Sequence, residues 1–255
     1  MEIGRSSNPT LNQKIFDSGA FSFTGTEVMT LQGTVNKIFI MLLLVLLGAI
    51  YTWNLFFNAA SPAAGAMAVQ GWIMGGAIGG FVFAMITSFK KSWAPYTAPV
   101  YALLEGVFLG ALSAFFETMF QGIVIQAVAL TFGTLFALLF CYKSGIIKPT
   151  QKFKLIVFAA TGGICLFYLI TFILSLFHMN MAMFYGSGTL SIAISLVVVV
   201  IAALNLVLDF DFIEQGVNAN APKYMEWYSA FGLMVTLVWL YIEFLQLLAK
   251  LANRR

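Results

Sequence analysis

Charge is what this chain has least of. Only 9% of its 255 residues are Asp, Glu, Lys or Arg, whereas 61% are hydrophobic. A water-soluble domain carries roughly 25% charged residues, so there is too little polar surface here to cover a face turned to water. Histidine is nearly missing. The single one, His178, falls in a short loop and reads as solvated. The two cysteines, Cys141 and Cys165, lie inside apolar segments with no CxxC spacing, so they read as packing residues rather than a metal site or a disulfide. No Ser or Cys nucleophile stands beside a histidine, no HExxH occurs, and no glycine-rich phosphate loop opens a soluble helix, which argues against an enzyme. The net charge of +3 is scattered among loops, and nucleic-acid binding has no support. No cofactor is expected.

What is present in abundance is long apolar sequence. A bilayer core about 30 Å thick needs roughly 20 apolar residues in a helix. Seven runs of that order occur: Val35 to Phe57, Ala66 to Phe89, Thr97 to Phe116, Gly122 to Tyr142, Phe153 to Phe177, Thr189 to Asp209 and Tyr228 to Leu251. They are continuously apolar rather than alternating, which excludes the strands of a barrel. The expected fold is an all-α integral membrane protein with seven transmembrane helices. Residues 1–34 are polar and turn-rich, lack the pattern of a signal peptide, and read as a tail with room for a short amphipathic piece. Residues 35–255 form the membrane domain.

Lysine position gives the expected orientation. Arg5, Lys14 and Lys37, then Lys90 and Lys91, then Lys143, Lys148, Lys152 and Lys154, then Lys223 fall on one side, and the loops after the first, third and fifth spans contain no Lys or Arg. That side, with the N-terminus, is expected to be cytoplasmic. Seven crossings put Lys250, Arg254 and Arg255 on the other side, against the charge rule. A full seventh span is expected over a re-entrant hairpin, because "SAFGLMVTLVWLYIEFLQLLAKL" has no central glycine or proline pair to turn on. Glycines 71, 75, 76, 79 and 80, and Gly106 with Gly110, have the spacing that lets helix backbones approach closely.

Against this background the acids stand out. An ionised carboxylate at the bilayer centre costs at least about 2.5 kcal/mol, so one found there is a functional candidate. Glu105 lies near the middle of the third span and Glu243 about two thirds along the seventh. "LDFDFIEQG" puts Asp209, Asp211 and Glu214 at the inner end of the sixth. Two residues apart, Asp209 and Asp211 point about 200° apart on a helix, so Asp209 is expected inward while Asp211 and Glu214 face water or attract cations at a mouth. Glu243 sits among Leu240, Tyr241, Ile242 and Phe244 and must find the interior. Glu105 is the same, with Gln126 as a hydrogen-bonding candidate. Desolvation raises a carboxylate pKa, and two carboxyls sharing a site push one higher still. When ionised, such a pair offers hard oxygen to calcium.

With seven spans, "LVLDFDFIEQG" and "WLYIEFLQLLAKL" in hand, the chain resembles the Bax inhibitor family in its bacterial branch, over roughly Val35 to the C-terminus. "SNPTL", "APVYALLEG" and "APKYMEWY" look like features of a bacterial subgroup. The resemblance implies a bundle whose last helix is wrapped by the other six, in the bacterial cytoplasmic membrane. It also implies an acid pair, one in the sixth helix and one in the seventh, forming a pH-sensitive gate on a calcium leak. Carried over, these acids match Asp209 and Glu243, which would also meet calcium in transit. Two departures stand: glutamate replaces aspartate at 243, and 34 positions separate the two acids, longer than the family's interval. With helix ends at Gly216 and Pro222, the acids meet only if the connection drops well below the membrane or holds its own short helix. Glu105 is the substitute partner for Glu243.

The competing function is a regulator that binds a membrane partner such as a protease, a role that needs no buried acids. A retinal protein would need a lysine inside the seventh span, and Lys250 is at its end. Intramembrane aspartyl proteolysis would need a matching aspartate in another span, which neither Asp209 nor Asp211 has.

Overall fold

In the computed structural model, the residues described are 28–177 and 186–254. Among them are seven helices long and apolar enough to cross a membrane: α1 (Leu31–Phe57), α2 (Pro62–Phe89), α3 (Ala94–Met119), α4 (Ile123–Lys143), α5 (Gln151–Leu176), α6 (Thr189–Asn218) and α7 (Met225–Ala252). A short 3-10 turn, Lys91–Trp93, joins α2 to α3. The described residues hold no strand, only an isolated bridge between Val28 and Pro222. The protein is therefore an all-α seven-helix membrane protein, one helix to each expected span. His178, the stretch "SNPTL" and the first 27 residues lie outside the described residues.

Local chemistry starts the helices. The hydroxyls of Thr30, Ser61 and Thr150 accept the backbone N–H groups of Gly33, Ala64 and Phe153, capping α1, α2 and α5. Glu117, near the end of α3, accepts N–H groups from Gly122 and Val124 at 2.6 and 3.2 Å, so a carboxylate sits at the positive end of α4.

Helix α7 is the axis of the bundle. In its most apolar stretch 67% of residues are buried, against 11% in α5. One flank packs with α1 and α3 through Met41, Tyr101, Leu109, Phe231 and Met234. The other packs with α4 and α6 through Leu135, Leu206, Phe210, Leu237 and Leu240. The expected ring of six helices is incomplete, because α2 packs chiefly on α1 and α3, and α5 chiefly on α6. The large apolar side chains left outward, such as Phe39, Leu43, Phe81 and Phe172, face lipid.

Helices α1 and α3 are in backbone contact. A Cβ on Gly106 would lie 2.2 Å from the Val45 carbonyl oxygen, and one on Gly110 2.2 Å from that of Ala49. The Thr52 hydroxyl donates across the same seam to the Val107 carbonyl at 2.9 Å. The glycines of α2 divide by face. Gly76, Gly79 and Gly80 lie against Leu104, Glu105 and Phe108, whereas Gly71 and Gly75 meet nothing within 4 Å and do not mark a contact.

Three expectations about the ends are corrected. The sixth helix does not stop near Asp209 but continues to Asn218, about two and a half turns further. Gly216 is no terminator; a Cβ there would come 2.9 Å from Met29 Sδ, so glycine makes room for that side chain inside an unbroken helix. Residues 28–34 are not a free tail, since Met29 is buried, its N–H donates to the Ala221 carbonyl at 2.7 Å, and α1 has begun by Leu31. Cys165 is exposed on the outer side of α5 rather than packed. The seventh segment is one continuous helix, as expected, and not a hairpin.

Replacing Gly106 or Gly110 by valine drives a side chain into the α1 backbone and is expected to destabilise the bundle by about 1–3 kcal/mol or more. Gly71→Ala should leave stability unchanged or raise it. Thermal unfolding in detergent, followed by tryptophan fluorescence, checks both.

Candidate functional site: a polar row between three helices

Within hydrocarbon an unsatisfied polar group costs several kcal/mol, so polar side chains in spans gather where they can face one another. Here they gather between α5, α6 and α7. On α7, Gly232, Thr236, Trp239, Glu243 and Lys250 follow spacings of four, three, four and seven, which keeps them on one stripe of the helix. The stripe faces α6 and α5, and partners from those helices meet it level by level.

At the lysine-rich end, Asp211 of α6 pairs with Lys154 of α5 and accepts from Gln215. Two residues in, Asp209 points at α7. Its Oδ1 lies 4.0 Å from where a Cβ on Gly232 would stand, beside Thr236, whose hydroxyl donates to the Gly232 carbonyl at 3.3 Å. Asp209 as a whole residue is half-buried, but its Oδ2 is fully buried with no hydrogen-bond partner. Next, Asn205 of α6 donates to the Thr161 hydroxyl of α5 at 2.8 Å and to the Ile201 carbonyl at 2.9 Å. Beyond that, Glu243, 2% exposed, accepts from the Tyr168 hydroxyl of α5 at 2.7 Å and the Trp239 indole at 3.1 Å, while its Oε2 has no partner. Lys250 then turns inward to donate to Ser195 of α6 at 2.8 Å, and Asn253 reaches Ser187 at 2.7 Å.

From Asp211 to Ser195 along α6 the row covers about 24 Å at about 1.5 Å per residue, most of the thickness of a bilayer core of about 30 Å.

Asp209 and Glu243 share the row but do not meet. Thr236, beside Asp209, is seven residues from Glu243 on α7, a rise of about 10 Å. The connection between α6 and α7 is a short turn through Asn220 (φ 49), with no helix of its own to bring the acids level. Asn205 and Thr161 stand between them. Glu105 belongs elsewhere: it is half-buried against α2, its Oε2 2.9 Å from where a Cβ on Gly80 would be, and it partners neither Glu243 nor Gln126. Asp211 and Glu214 are not simply solvated, since Glu214 accepts from the Tyr142 hydroxyl of α4 and Asp211 ties α6 to α5.

One buried acid escaped the reading of the sequence. Glu226, at the start of α7, is 0% exposed. Its Oε1 accepts the N–H and hydroxyl of Thr30 at 3.0 and 2.9 Å and meets Lys223 at 2.8 Å, and Oε2 lies 3.5 Å from Lys37. It thus joins the first turns of α1 and α7, with its charge at the positive ends of both helices. Gly33 is required beside it, because a Cβ there would stand 1.9 Å from Oε1. The signal was "MTLQGTVNK" together with "PKYMEW", but only folding brings residues 30 and 226 into contact.

A cleft lies on the other side of α7. Of about 660 Å³, between α1, α3, α4 and α7, it is walled by Leu42, Leu46, Val128 and Leu237, with Ser113, Thr131 and Tyr241 among its few polar groups. Ser113 and Tyr241 satisfy one another at 2.6 Å. No carboxylate lines this cleft, so it is unsuited to cations.

A family model described as Bax inhibitor 1 like matches residues 7–253, nearly the whole chain. No curated protein and no solved structure matches.

Removing the Glu226 charge leaves Lys37 and Lys223 uncompensated and Thr30 with a weaker acceptor. Glu226→Gln is expected to lower the unfolding temperature in detergent. Gly33→Ala should lower it too, and combining the two should be clearly less than additive because both disrupt one junction.

Proposed function

The chain belongs to the Bax inhibitor 1 like family, and from that membership we propose that it is a proton-responsive cation leak, with calcium as the permeant ion and the polar row between α5, α6 and α7 as its path. The observation that carries the reading is the pair of buried carboxyls on this row, Asp209 and Glu243, each with one oxygen lacking a partner. An intramembrane carboxyl kept in the bundle interior is suited to move between a neutral form and an ionised form that attracts a cation. The residues facing Asp209 are Thr236 and Gly232 of α7. Those facing Glu243 are Tyr168 of α5, Trp239 and, one level further, Lys250.

One carboxylate per level is far short of the six to eight oxygens of a stable calcium site. Among the described residues, no group of three or more His, Cys, Asp or Glu side chains could hold a metal. Weak sites in series suit passage rather than storage. Helix α5 is the movable part in this reading. It is the least buried span, and its links to the row are polar: Lys154 to Asp211, Thr161 to Asn205, Tyr168 to Glu243. A proton gained or lost at Glu243 changes its link to Tyr168 directly. Asp211 and Glu214 then attract cations to the mouth at the lysine-rich end, which we assign to the cytoplasmic side of a bacterial inner membrane. Glu105, on α2, plays no part in this path.

Calcium flux into proteoliposomes across a pH series tests this reading, comparing the wild type with Asp209→Asn and Glu243→Gln at matched folded protein. The expected result is a flux whose pH dependence is lost or strongly flattened in both variants, with Glu105→Gln behaving as the wild type. No flux from folded wild type, or variants identical to it, would remove the leak and leave a regulator that binds a membrane partner.

A further inference from the structure

We propose that the turn between α2 and α3, backed by the start of α7, is a binding site for the headgroup of an anionic phospholipid. Lys90 and Lys91 follow each other at this turn. Among the described residues no carboxylate lies within ion-pair distance of either, whereas Lys37, Lys154 and Lys223 all pair with one. Both are held by aromatic faces instead. Lys90 Nζ is 4.4 Å from the centroid of the Trp93 ring, and Lys91 Nζ is 5.2 Å from that of Tyr228 on α7. A cation over a ring keeps its full charge and its capacity to donate to a further acceptor. Lys91 is half-buried in this position, so the turn holds a positive charge that no carboxylate among the described residues neutralises.

The ligand must be more than an anion. Phe89, Trp93 and Tyr96 flank the lysines and are 79%, 50% and 80% exposed. Such aromatics sit at the headgroup level, apolar body toward the chains and polar edge toward water. A phospholipid of negative charge fits both halves: phosphate on the two ammonium groups, acyl chains along the aromatics and α2. Inorganic phosphate fits only one. Lys37, over the Trp227 ring at 5.7 Å, extends the positive field toward α1, and Glu226 beside it is already engaged. Clustered lysines at a membrane face attract anionic lipid in any protein. This turn differs from the other basic loop, which carries Lys148 and Lys152 with no aromatic ring under either ammonium among the described residues.

That difference supplies the control. Protein in a neutral detergent is titrated with phosphatidylglycerol, phosphatidylcholine or inorganic phosphate, and its unfolding temperature is recorded. Phosphatidylglycerol should raise it, and the other two should not. K90Q/K91Q should lose most of that rise, K90R/K91R should keep it, and K148Q/K152Q should respond as the wild type. Equal losses from the two glutamine variants would reduce the site to general attraction, and a rise with inorganic phosphate alone, or none with phosphatidylglycerol, would overturn it. Unfolding temperatures without added lipid show that each variant is folded.

Discussion

The polar side chains that α7 carries into the bilayer must be kept from lipid and met by other polar groups, and the arrangement of the bundle follows from that requirement. Helix α7 carries Glu243, Thr236, Trp239 and Tyr241 within a few turns, and none of them faces lipid. The helix is therefore central. Tyr241 is answered by Ser113 of α3 and Glu243 by Tyr168 of α5, while the Thr236 hydroxyl donates to the Gly232 carbonyl of α7 itself. The apolar residues between them knit α7 to α1, α3, α4 and α6. Helix α2 lies over the α1 and α3 seam, with Gly76 and Gly80 turned toward α3 and Phe81 and Met74 exposed.

The two sides of α7 differ in how they are held. On one, α1 and α3 touch backbone to backbone at Gly106 and Gly110, and Glu226 ties α1 to α7 with hydrogen bonds and two lysines. Close packing of this kind leaves few alternative arrangements. On the other, α5 is the least buried span, and beside the packing of its buried Val157 it is linked to the bundle by polar contacts at successive levels, through Lys154, Thr161 and Tyr168. The buried acids lie on this second side.

Much of this was legible in the sequence. Unbroken apolar runs located the seven helices, and the bulky neighbours of Glu243 required it to turn inward. The failures have particular causes. The separation of 34 positions between Asp209 and Glu243 signalled that the acids stand at different heights, but Asn205 and Thr161 between them were invisible, since only the fold pairs α5 with α6. Gly216 looked like a helix stop because nothing local reveals that Met29, far away in the chain, fills the space above it. The same holds for Glu226, whose partners Thr30 and Lys37 lie far away in the chain. Among the α2 glycines, spacing alone could not separate Gly76 and Gly80, which touch α3, from Gly71 and Gly75, which do not.

The account rests on the row acting as one continuous path rather than as two unrelated acids, and Asn205, bonded to Thr161, is the link between their levels. Cation flux through Asn205→Leu, with Asp209 and Glu243 intact and the protein folded, tests this most directly. Leucine nearly matches asparagine in size but cannot bridge to Thr161, so the account predicts that flux falls well below the wild type at every pH. Unchanged flux with unchanged pH dependence would contradict it.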